Sequence, residues 1–295
     1  MRNIRGRFKP VFLSSLFTTL LLTALSCQAA SVWQVSKGDN TIYLGGTLHI
    51  LSPDDYPLPQ QYDVAYQASD LLVFETDLAA LVSPQFVEQT QQLMTYKNGR
   101  TIRDDLSEDT YQQLKTYLAR YGVSVTQVEK MKPSFLGITL SMMALQHAGL
   151  TNPGVDNFFF TKADADEKRV DWFETPTQQL EILSKLGEGE EDAYIRYSLE
   201  ELDTMSETLE PMKQAWRNGN MNQLFDSSMD TFKNDYPQVY ANVLTKRNLA
   251  WLPKIEEYLA TPETEFVLVG TMHMAGPDGV LSMLETKGFT VHQLQ

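Results

Sequence analysis

Short apolar runs that end in polar residues predict the central strands of this chain. Residues 266–269 (Phe-Val-Leu-Val) lead directly into Gly-Thr-Met-His, and residues 41–44 (Thr-Ile-Tyr-Leu) lead into Gly-Gly-Thr-Leu-His. A third run, residues 71–74, leads into Glu-Thr-Asp. A continuous apolar run bounded by turn residues is typical of a strand buried on both faces. We therefore expect three buried strands that are followed by His273, His49 and Glu75, respectively.

The segment after the first thirty residues predicts a β-β-α-β unit. Residues 31–36 alternate between apolar and polar side chains, and a Lys-Gly-Asp-Asn loop at 37–40 separates them from the strand at 41–44. This pattern favours a β-hairpin with a four-residue loop. A helix over residues 62–68 then connects the hairpin to the strand at 71–74.

The carboxyl-terminal segment predicts a β-α-β crossover, with strands at 266–269 and 289–294 around a helix at 279–287. Such a crossover implies parallel pairing of its two strands. Between these two ends the pattern is mainly helical, with a strand at 169–173. The predicted helices cover residues 84–96, 107–120, 133–147, 155–165, 178–186, 194–216, 221–233 and 237–259. We therefore expect one α/β domain over residues 31–295, with a mainly parallel sheet built from both ends of the sequence and a helical insert at about residues 83–262.

The first thirty residues predict a secretory signal peptide. Four basic residues lie before an apolar run at 11–25, and Ser-Cys-Gln-Ala-Ala follows. This order of basic, apolar and small residues is typical of a signal that is cleaved, here after Ala29 or Ala30. We therefore expect a periplasmic or secreted protein with no stable membrane insertion after cleavage. A second interpretation is lipid attachment at Cys27, although Ala24 and Leu25 fit such a site poorly.

The composition narrows the possible partners. Cys27 is the only cysteine, so cleavage leaves a chain without disulfides. Removal of the first thirty residues takes away four positive charges and no negative one, which moves the formal net charge from −14 to −18. Nucleic acids and anionic lipids require basic surfaces. The acidic balance therefore argues against both as partners, and the sequence gives no indication of an oligomeric state.

The strand-end residues favour a metal-dependent site. If the three strands are parallel neighbours, His49, Glu75 and His273 gather along one edge of the sheet. Two histidines and a carboxylate are a common ligand set for a divalent transition metal. Such an ion polarises a carbonyl group and lowers the pKa of bound water. Glu75 is either the third ligand or the general base, and the sequence does not separate these roles.

A purely structural role for the motif histidines is the alternative. A single Gly-X-X-His is weak evidence, because glycine before a polar strand-end residue is ordinary turn chemistry. The chain has only four histidines, however, and two of them occupy the same motif. We expect His147 and His292 to be structural. The sequence contains no Gly-X-Ser-X-Gly elbow, no P-loop and no His-Glu-X-X-His, and it offers no cysteine nucleophile after signal cleavage.

These motifs together resemble the TraB/GumN/PrgY family, which includes the Tiki proteases, and the chain looks most similar to the bacterial GumN-like branch. The residues that carry the resemblance are 43–49 (Tyr-Leu-Gly-Gly-Thr-Leu-His), 73–77 (Val-Phe-Glu-Thr-Asp) and 269–273 (Val-Gly-Thr-Met-His). Weaker matches are Gly-Val-Asp at 154–156, Trp-Phe-Glu-Thr at 172–175 and Lys-Arg-Asn at 246–248. The likeness covers roughly residues 32–294.

The resemblance implies an α/β fold related to erythromycin esterase-like and haem-uptake ChaN-like proteins. It also implies a divalent-metal-dependent peptidase activity, shown for the Tiki branch with manganese or cobalt. His49 and His273 match the family's two motif histidines, and Glu75 matches its acid. Arg247 matches a basic position, which would hold a carboxylate or an oxyanion. Asn248 would orient a ligand or a substrate.

Three functions follow as hypotheses. The first is an exported hydrolase that uses Mn, Co or Zn and acts on a peptide or a small molecule. The second is a non-enzymatic binding protein that sequesters a peptide or a haem-like ligand in the same cleft. In the third, the Gly-Thr-X-His elements only cap strands and the chain is a scaffold.

Overall fold

A computed structural model describes residues 29–295, apart from the side chain of Ser228. Cys27 and all but the last two residues of the predicted signal peptide therefore lie outside the described residues. The division into a signal peptide, one domain and a helical insert stays a prediction.

The protein is a mixed α/β structure around a mainly parallel six-stranded sheet. The strands are β1 Val32–Lys37, β2 Asn40–Thr47, β3 Ile50–Leu51, β4 Leu71–Thr76, β5 Asn152–Pro153, β6 Arg169–Glu174, β7 Glu265–Gly270 and β8 Thr290–Gln293. The order in the sheet is β6-β4-β7-β2-β1-β8. The strands β6, β4, β7 and β2 run parallel to one another, whereas β1 is antiparallel to both of its neighbours. A separate two-stranded ladder joins β3 to β5.

The amino-terminal hairpin is confirmed, and the expected pairing of the carboxyl-terminal crossover is wrong. In the hairpin, β1 and β2 pair from Val32 opposite Gly45 to Lys37 opposite Asn40, so the turn is shorter than predicted. At the other end of the chain, β8 pairs antiparallel with β1 rather than parallel with β7. The physical reason is that β4 and β2 already occupy both edges of β7, so the last strand extends the sheet beyond the hairpin.

Helices form most of the segment between β4 and β7, but β6 from this segment joins the edge of the central sheet. Within residues 29–295, no helix is both long enough and apolar enough to cross a membrane. The predicted helices at 221–233 and 237–259 are interrupted by wider π-helical turns at Phe225–Met229 and Ala241–Thr245. The helices are α1 Gln60–Ala68, α2 Leu78–Leu81, α3 Pro84–Met94, α4 Glu108–Arg120, α5 Pro133–His147, α6 Val155–Ala165, α7 Pro176–Leu183, α8 Glu191–Arg217, α9 Met221–Leu224, α10 Asp230–Asp235, α11 Pro237–Tyr240, α12 Lys246–Tyr258 and α13 Val280–Thr286.

Each face of the sheet is covered by its own hydrophobic core. Side chains alternate along the strands, so that Phe266 and Leu268 of β7 point to one face and Val267 and Val269 to the other. Residues of α1, α6 and α8 pack on the first face, and residues of α12 and α13 pack on the second. A third cluster joins α4, α5 and α8 away from the sheet. Burial on both faces explains the continuous apolar runs of the central strands.

The four parallel strands end along one edge of the sheet. This edge carries Thr47 at the end of β2, Gly270 at the end of β7, Thr76 at the end of β4 and Glu174 at the end of β6. In open α/β sheets the carboxyl ends of parallel strands form the usual ligand-binding edge. The topology therefore brings together residues that are more than two hundred positions apart in the sequence.

Candidate functional site

The three side chains expected at the strand ends lie close to a common point beside Gly270. A methyl group placed on the α-carbon of Gly270 would lie 3.1 Å from Glu75 Oε1, 3.6 Å from His49 Nε2 and 3.7 Å from His273 Cδ2. The distance from His273 Nε2 to Glu75 Oε1 is 3.9 Å. Because only hydrogen stands at this point, the three polar groups can approach one another.

A close backbone contact places His49. The loop after β2 is held by the β3–β5 ladder, and the amide of Val155 donates to the carbonyl of Leu48 at 3.0 Å. A Cβ at Gly154 would lie only 2.2 Å from that carbonyl oxygen, so this position requires glycine. The approach brings Asp156, in the first turn of α6, to 3.0 Å from His49, measured from Oδ2 to Nδ1. Asp156 therefore anchors Nδ1 of the ring.

The environment of His49 favours its charged form. Asp156 raises the pKa of His49 to about 9, although partial desolvation opposes the charge. The ring is 65% exposed, so water screens part of this attraction. The other carboxylate oxygen of Asp156, Oδ1, is buried and has no hydrogen-bond partner in the described part of the chain. His49 thus forms the solvent-facing side of the site.

His273 is buried and held in one tautomer. The side-chain amide of Asn248 donates to the carbonyls of His273 and Asp278, at 3.1 and 2.7 Å, so its Oδ1 faces the His273 ring. The ring N–H at Nδ1 donates to this oxygen at 2.6 Å. Nε2 consequently carries the lone pair. Burial lowers the pKa of His273 to about 3, and the positive charge of Arg247 contributes in the same direction, so the ring is neutral.

Arg247 occupies the centre of the site. Its guanidinium donates to Glu75 Oε2 at 2.7 Å, to His273 Nε2 at 2.9 Å and to both oxygens of Glu174 at 2.8 to 3.1 Å. The remaining N–H donates to the carbonyl of Val243 at 3.3 Å. All five N–H groups of Arg247 therefore have partners within the protein. In this conformation none is available for the substrate carboxylate or oxyanion that we expected Arg247 to hold.

Glu75 is ionised although it is buried. Burial opposes the charge, but the neighbouring imidazoles, Arg247 and the backbone N–H of Gly270 outweigh it and lower the pKa of Glu75 to about 2. The Gly270 N–H donates to Oε1 at 2.6 Å, and the side-chain amide of Gln179 donates to Oε2 at 3.3 Å. One carboxylate oxygen therefore faces Arg247 and α7, while the other faces the two imidazoles.

Two further residues of this cluster, Glu174 and Asp156, occur in the sequence only within the weaker family motifs at 172–175 and 154–156. Glu174 ends β6 much as Glu75 nearly ends β4, so the strand-end pattern is the signal that identifies it. The two remaining histidines lie elsewhere: His147 packs edge-on against Tyr121, and His292 is exposed in β8.

The imidazole nitrogens and the carboxylate oxygen are donor types that bind divalent metals. In this structure, however, these atoms are not arranged around a common ion position. Both histidines have an anchored Nδ1, from Asp156 and Asn248, which is the usual outer partner of a metal-binding imidazole. Glu75 supplies an anionic oxygen. Arg247, however, already donates to two of the three proposed ligands. Among residues 29–295, no group of three or more His, Cys, Asp or Glu side chains is spaced to hold an ion.

Comparison with known proteins identifies the family. The model of the TraB/PrgY/gumN family matches residues 31–293. The chain is 24% identical over 250 residues to the uncharacterized protein YbaP of Escherichia coli (strain K12), an alignment that covers 84% of this chain and 89% of YbaP. The uncharacterized protein YbaP of Shigella flexneri gives the same values. No solved structure matches the chain.

Proposed function

The chain belongs to the TraB/PrgY/gumN family, and on that premise we propose that it is an exported hydrolase that depends on a divalent metal ion, most specifically a peptidase. The observation that supports this proposal is the convergence of Glu75 Oε1, His49 Nε2 and the His273 ring on one point beside Gly270. Two imidazoles and a carboxylate at the carboxyl edge of a parallel sheet form a chemically sensible site for metal-assisted hydrolysis.

In this proposal, His49, His273 and Glu75 hold Mn, Co or Zn, a choice that this ligand set leaves open. When bound, the ion would polarise the scissile carbonyl and lower the pKa of a water molecule. Because His49 is protonated near neutral pH, its Nε2 loses a proton before it can act as a ligand. Glu75 retains two possible roles, as the third ligand or as the general base.

The surrounding residues would orient the reacting groups. Asp156 holds the ring of His49, and Asn248 holds the ring of His273, so each Nε2 faces the centre of the site. Glu174 accepts three of the hydrogen bonds of Arg247 and can retain the guanidinium when Glu75 and His273 are required for a ligand. Arg247 and Glu174 would then act as positioning residues.

Metal analysis after loading with each ion separates this proposal from its alternatives. We expect about one ion per wild-type chain, and loss of both the ion and peptide cleavage in His49→Ala and His273→Ala. His292→Ala is the matched control, because this histidine is exposed in β8, and it should retain both properties. Wild-type protein that remains metal-free after loading with Mn, Co and Zn would exclude the proposed function.

One observation favours a binding protein as the second candidate. Since Arg247 donates to Glu75 and His273, the cleft in its present form is closed to a cation, whereas His49 stays open to a ligand from solvent. A peptide recovered unchanged from a stoichiometric complex would support binding without cleavage. A haem-like ligand would give a Soret band that disappears in His49→Ala.

Export is a separate part of the proposal and has a separate test. The amino-terminal pattern of basic, apolar and small residues supports it. Fractionation of expressing cells should find the protein outside the cytoplasm, with a mature chain that begins at Ala30 or Ser31. A full-length chain retained in the cytoplasm would contradict export without affecting the proposed chemistry.

A further inference from the structure

A cavity of about 440 Å³ lies beside the strand-end site, on the other side of Arg247. It opens between α7 and α12, and its apolar floor is the half-buried Phe173, with the buried Trp251 stacked beneath it. Ile182 of α7 and Ala250 of α12 add apolar surface on the two sides. Its volume is within the usual range for small-ligand pockets, and its mixture of apolar surface with a few polar groups is typical of them.

The floor of this cavity is in contact with the proposed catalytic centre. The rings of Phe173 and Trp251 stack with centroids 5.1 Å apart and planes 14° from parallel. The indole N–H of Trp251 donates to Glu174 Oε1 at 2.9 Å. The indole also lies against His273, with ring centroids 4.4 Å apart, and the guanidinium of Arg247 lies 4.8 Å from the centroid of the indole. The stacked rings of Phe173 and Trp251 would therefore connect a group bound on this floor to His273.

Two exposed lysines give the rim of the cavity a positive character. Lys185 makes no ion pair within residues 29–295, and Lys246 donates only to the neutral Asn242, at 2.7 Å. Glu174 shares the guanidinium of Arg247 with Glu75 in the interior, and the exposed Glu181 is the opposing charge at the rim itself. In a chain with a formal net charge of −14, an apolar cavity bordered by two available ammonium groups favours an anionic ligand.

We propose that this cavity binds the carboxyl-terminal residue of a peptide, with an aromatic or long aliphatic side chain on the floor and the terminal carboxylate between Lys185 and Lys246. The apolar part matches the half-buried side chains of Phe173 and Ile182, and the carboxylate matches the two ammonium groups. Naming the ligand as a peptide terminus rests on the proposed hydrolase. Recognition of an apolar carboxylate requires neither a metal ion nor cleavage.

Calorimetry with N-acetyl-L-phenylalanine, using the full chain in the presence of EDTA, tests this assignment without involving a metal ion. N-acetyl-L-phenylalaninamide lacks the carboxylate, and N-acetylglycine lacks the aromatic side chain. We expect the acid to bind at least about tenfold more tightly than either analogue, because each analogue loses one of the two matched contacts. Equal binding of the acid and the amide, or no binding of the acid, would overturn the proposal.

Substitutions at the rim locate the binding site. Lys185→Gln combined with Lys246→Gln should weaken binding of the acid about tenfold and leave binding of the amide unchanged. Ala250→Glu adds a carboxylate at an exposed position of the rim and should have a similar effect. Lys115→Gln removes an exposed helical lysine outside the cavity and should bind as the wild type does. Wild-type affinity in the double variant would overturn the assignment.

The two proposals fail in different ways. If the acid binds and the lysine variants weaken it while the protein remains metal-free after loading, the cavity assignment holds and the hydrolase is excluded. If metal binding and cleavage are found but the acid and the amide bind equally, the hydrolase holds and this cavity is not the site for a peptide terminus.

Discussion

The two Gly-Thr-X-His elements share a sequence pattern and differ in almost every physical property of their histidines. The side chain of His49 is 65% exposed and its Nδ1 faces the carboxylate of Asp156. The side chain of His273 is 6% exposed and its Nδ1 faces the amide oxygen of Asn248. The repeated motif places both rings at the ends of adjacent parallel strands. Burial and the Nδ1 partner then determine the charge of each ring.

This difference gives the site an asymmetric protonation state. The pKa of His49 is raised to about 9, and the pKa of His273 is lowered to about 3. At neutral pH the structure therefore combines one imidazolium at the mouth with one neutral imidazole in the interior. An outer carboxylate favours the charged form, whereas an outer amide in a buried setting favours the neutral form. The same motif thus supplies two different groups to one cleft.

Replacement of Arg247 is the strongest test of the buried hydrogen-bond network beside His273. Arg247→Ala leaves the buried carboxylates of Glu75 and Glu174 without their cationic partner, and we expect a loss of about 3–5 kcal/mol in the free energy of unfolding. Urea denaturation at pH 7 measures this loss. Arg196→Ala is the matched control, because this arginine is 51% exposed and should change stability by less than about 1 kcal/mol. Equal effects of the two substitutions would contradict a buried network.

Replacement of a glycine tests the backbone contact between Gly154 and Leu48 that places the exposed His49. Gly154→Ala places a Cβ about 2.2 Å from a backbone oxygen that cannot move freely, and we expect a loss of about 2–3 kcal/mol. Gly270→Ala places a Cβ 3.1 Å from the carboxylate of Glu75, which would have to shift by only a few tenths of an ångström, and it should cost about 1 kcal/mol. Thermal unfolding of both variants gives the comparison, and the reverse order would show that the His49 loop is loosely packed.

The amide that anchors His273 should be worth more to stability than the carboxylate that anchors His49. Asn248→Ala leaves the Nδ1–H of His273 and two backbone carbonyls without partners in the interior, so we expect a loss of about 2 kcal/mol. Asn234→Ala, at an exposed position of α10, should change stability by less than about 0.5 kcal/mol. Chemical denaturation measures the loss in Asn248→Ala against the control Asn234→Ala and against the loss in Asp156→Asn. A neutral Asn248→Ala would mean that the ring of His273 is free to reorient.

The sequence predicted the backbone of the site better than its interactions. The buried strands before His49, Glu75 and His273 were visible as apolar runs, and parallel pairing places their ends together. Local patterns carry no information on how α12 docks on the sheet, and this docking is what places Arg247 between the proposed ligands. The edge position of β8 was missed for a similar reason, since pairing depends on which strand edges remain free.

Replacement of the carboxylate beside His49 should change the pH dependence of stability. A histidine whose pKa is raised on folding contributes stability that is fully present below its unfolded pKa of about 6.5 and is lost as the pH rises through about 9. Asp156→Asn should remove this contribution, so the variant would be less stable than the wild type below pH 6.5 and would approach it above pH 9. Because the side chain of His49 is 65% exposed, water screens the attraction and reduces the pKa shift itself, so we expect a difference of only about 0.5–1 kcal/mol.

The NMR signals of the imidazole rings in the metal-free protein measure the effect of Asp156 on the pKa of His49 directly. In the wild type, the NMR titration midpoint of His49 should lie above the ordinary value of about 6.5, and Asp156→Asn should move it back towards that value. His273 should stay neutral in both proteins across this range, because burial lowers its pKa to about 3. A His49 midpoint that is ordinary in the wild type and unchanged in the variant would remove the difference between the two motifs, since burial alone would then separate them.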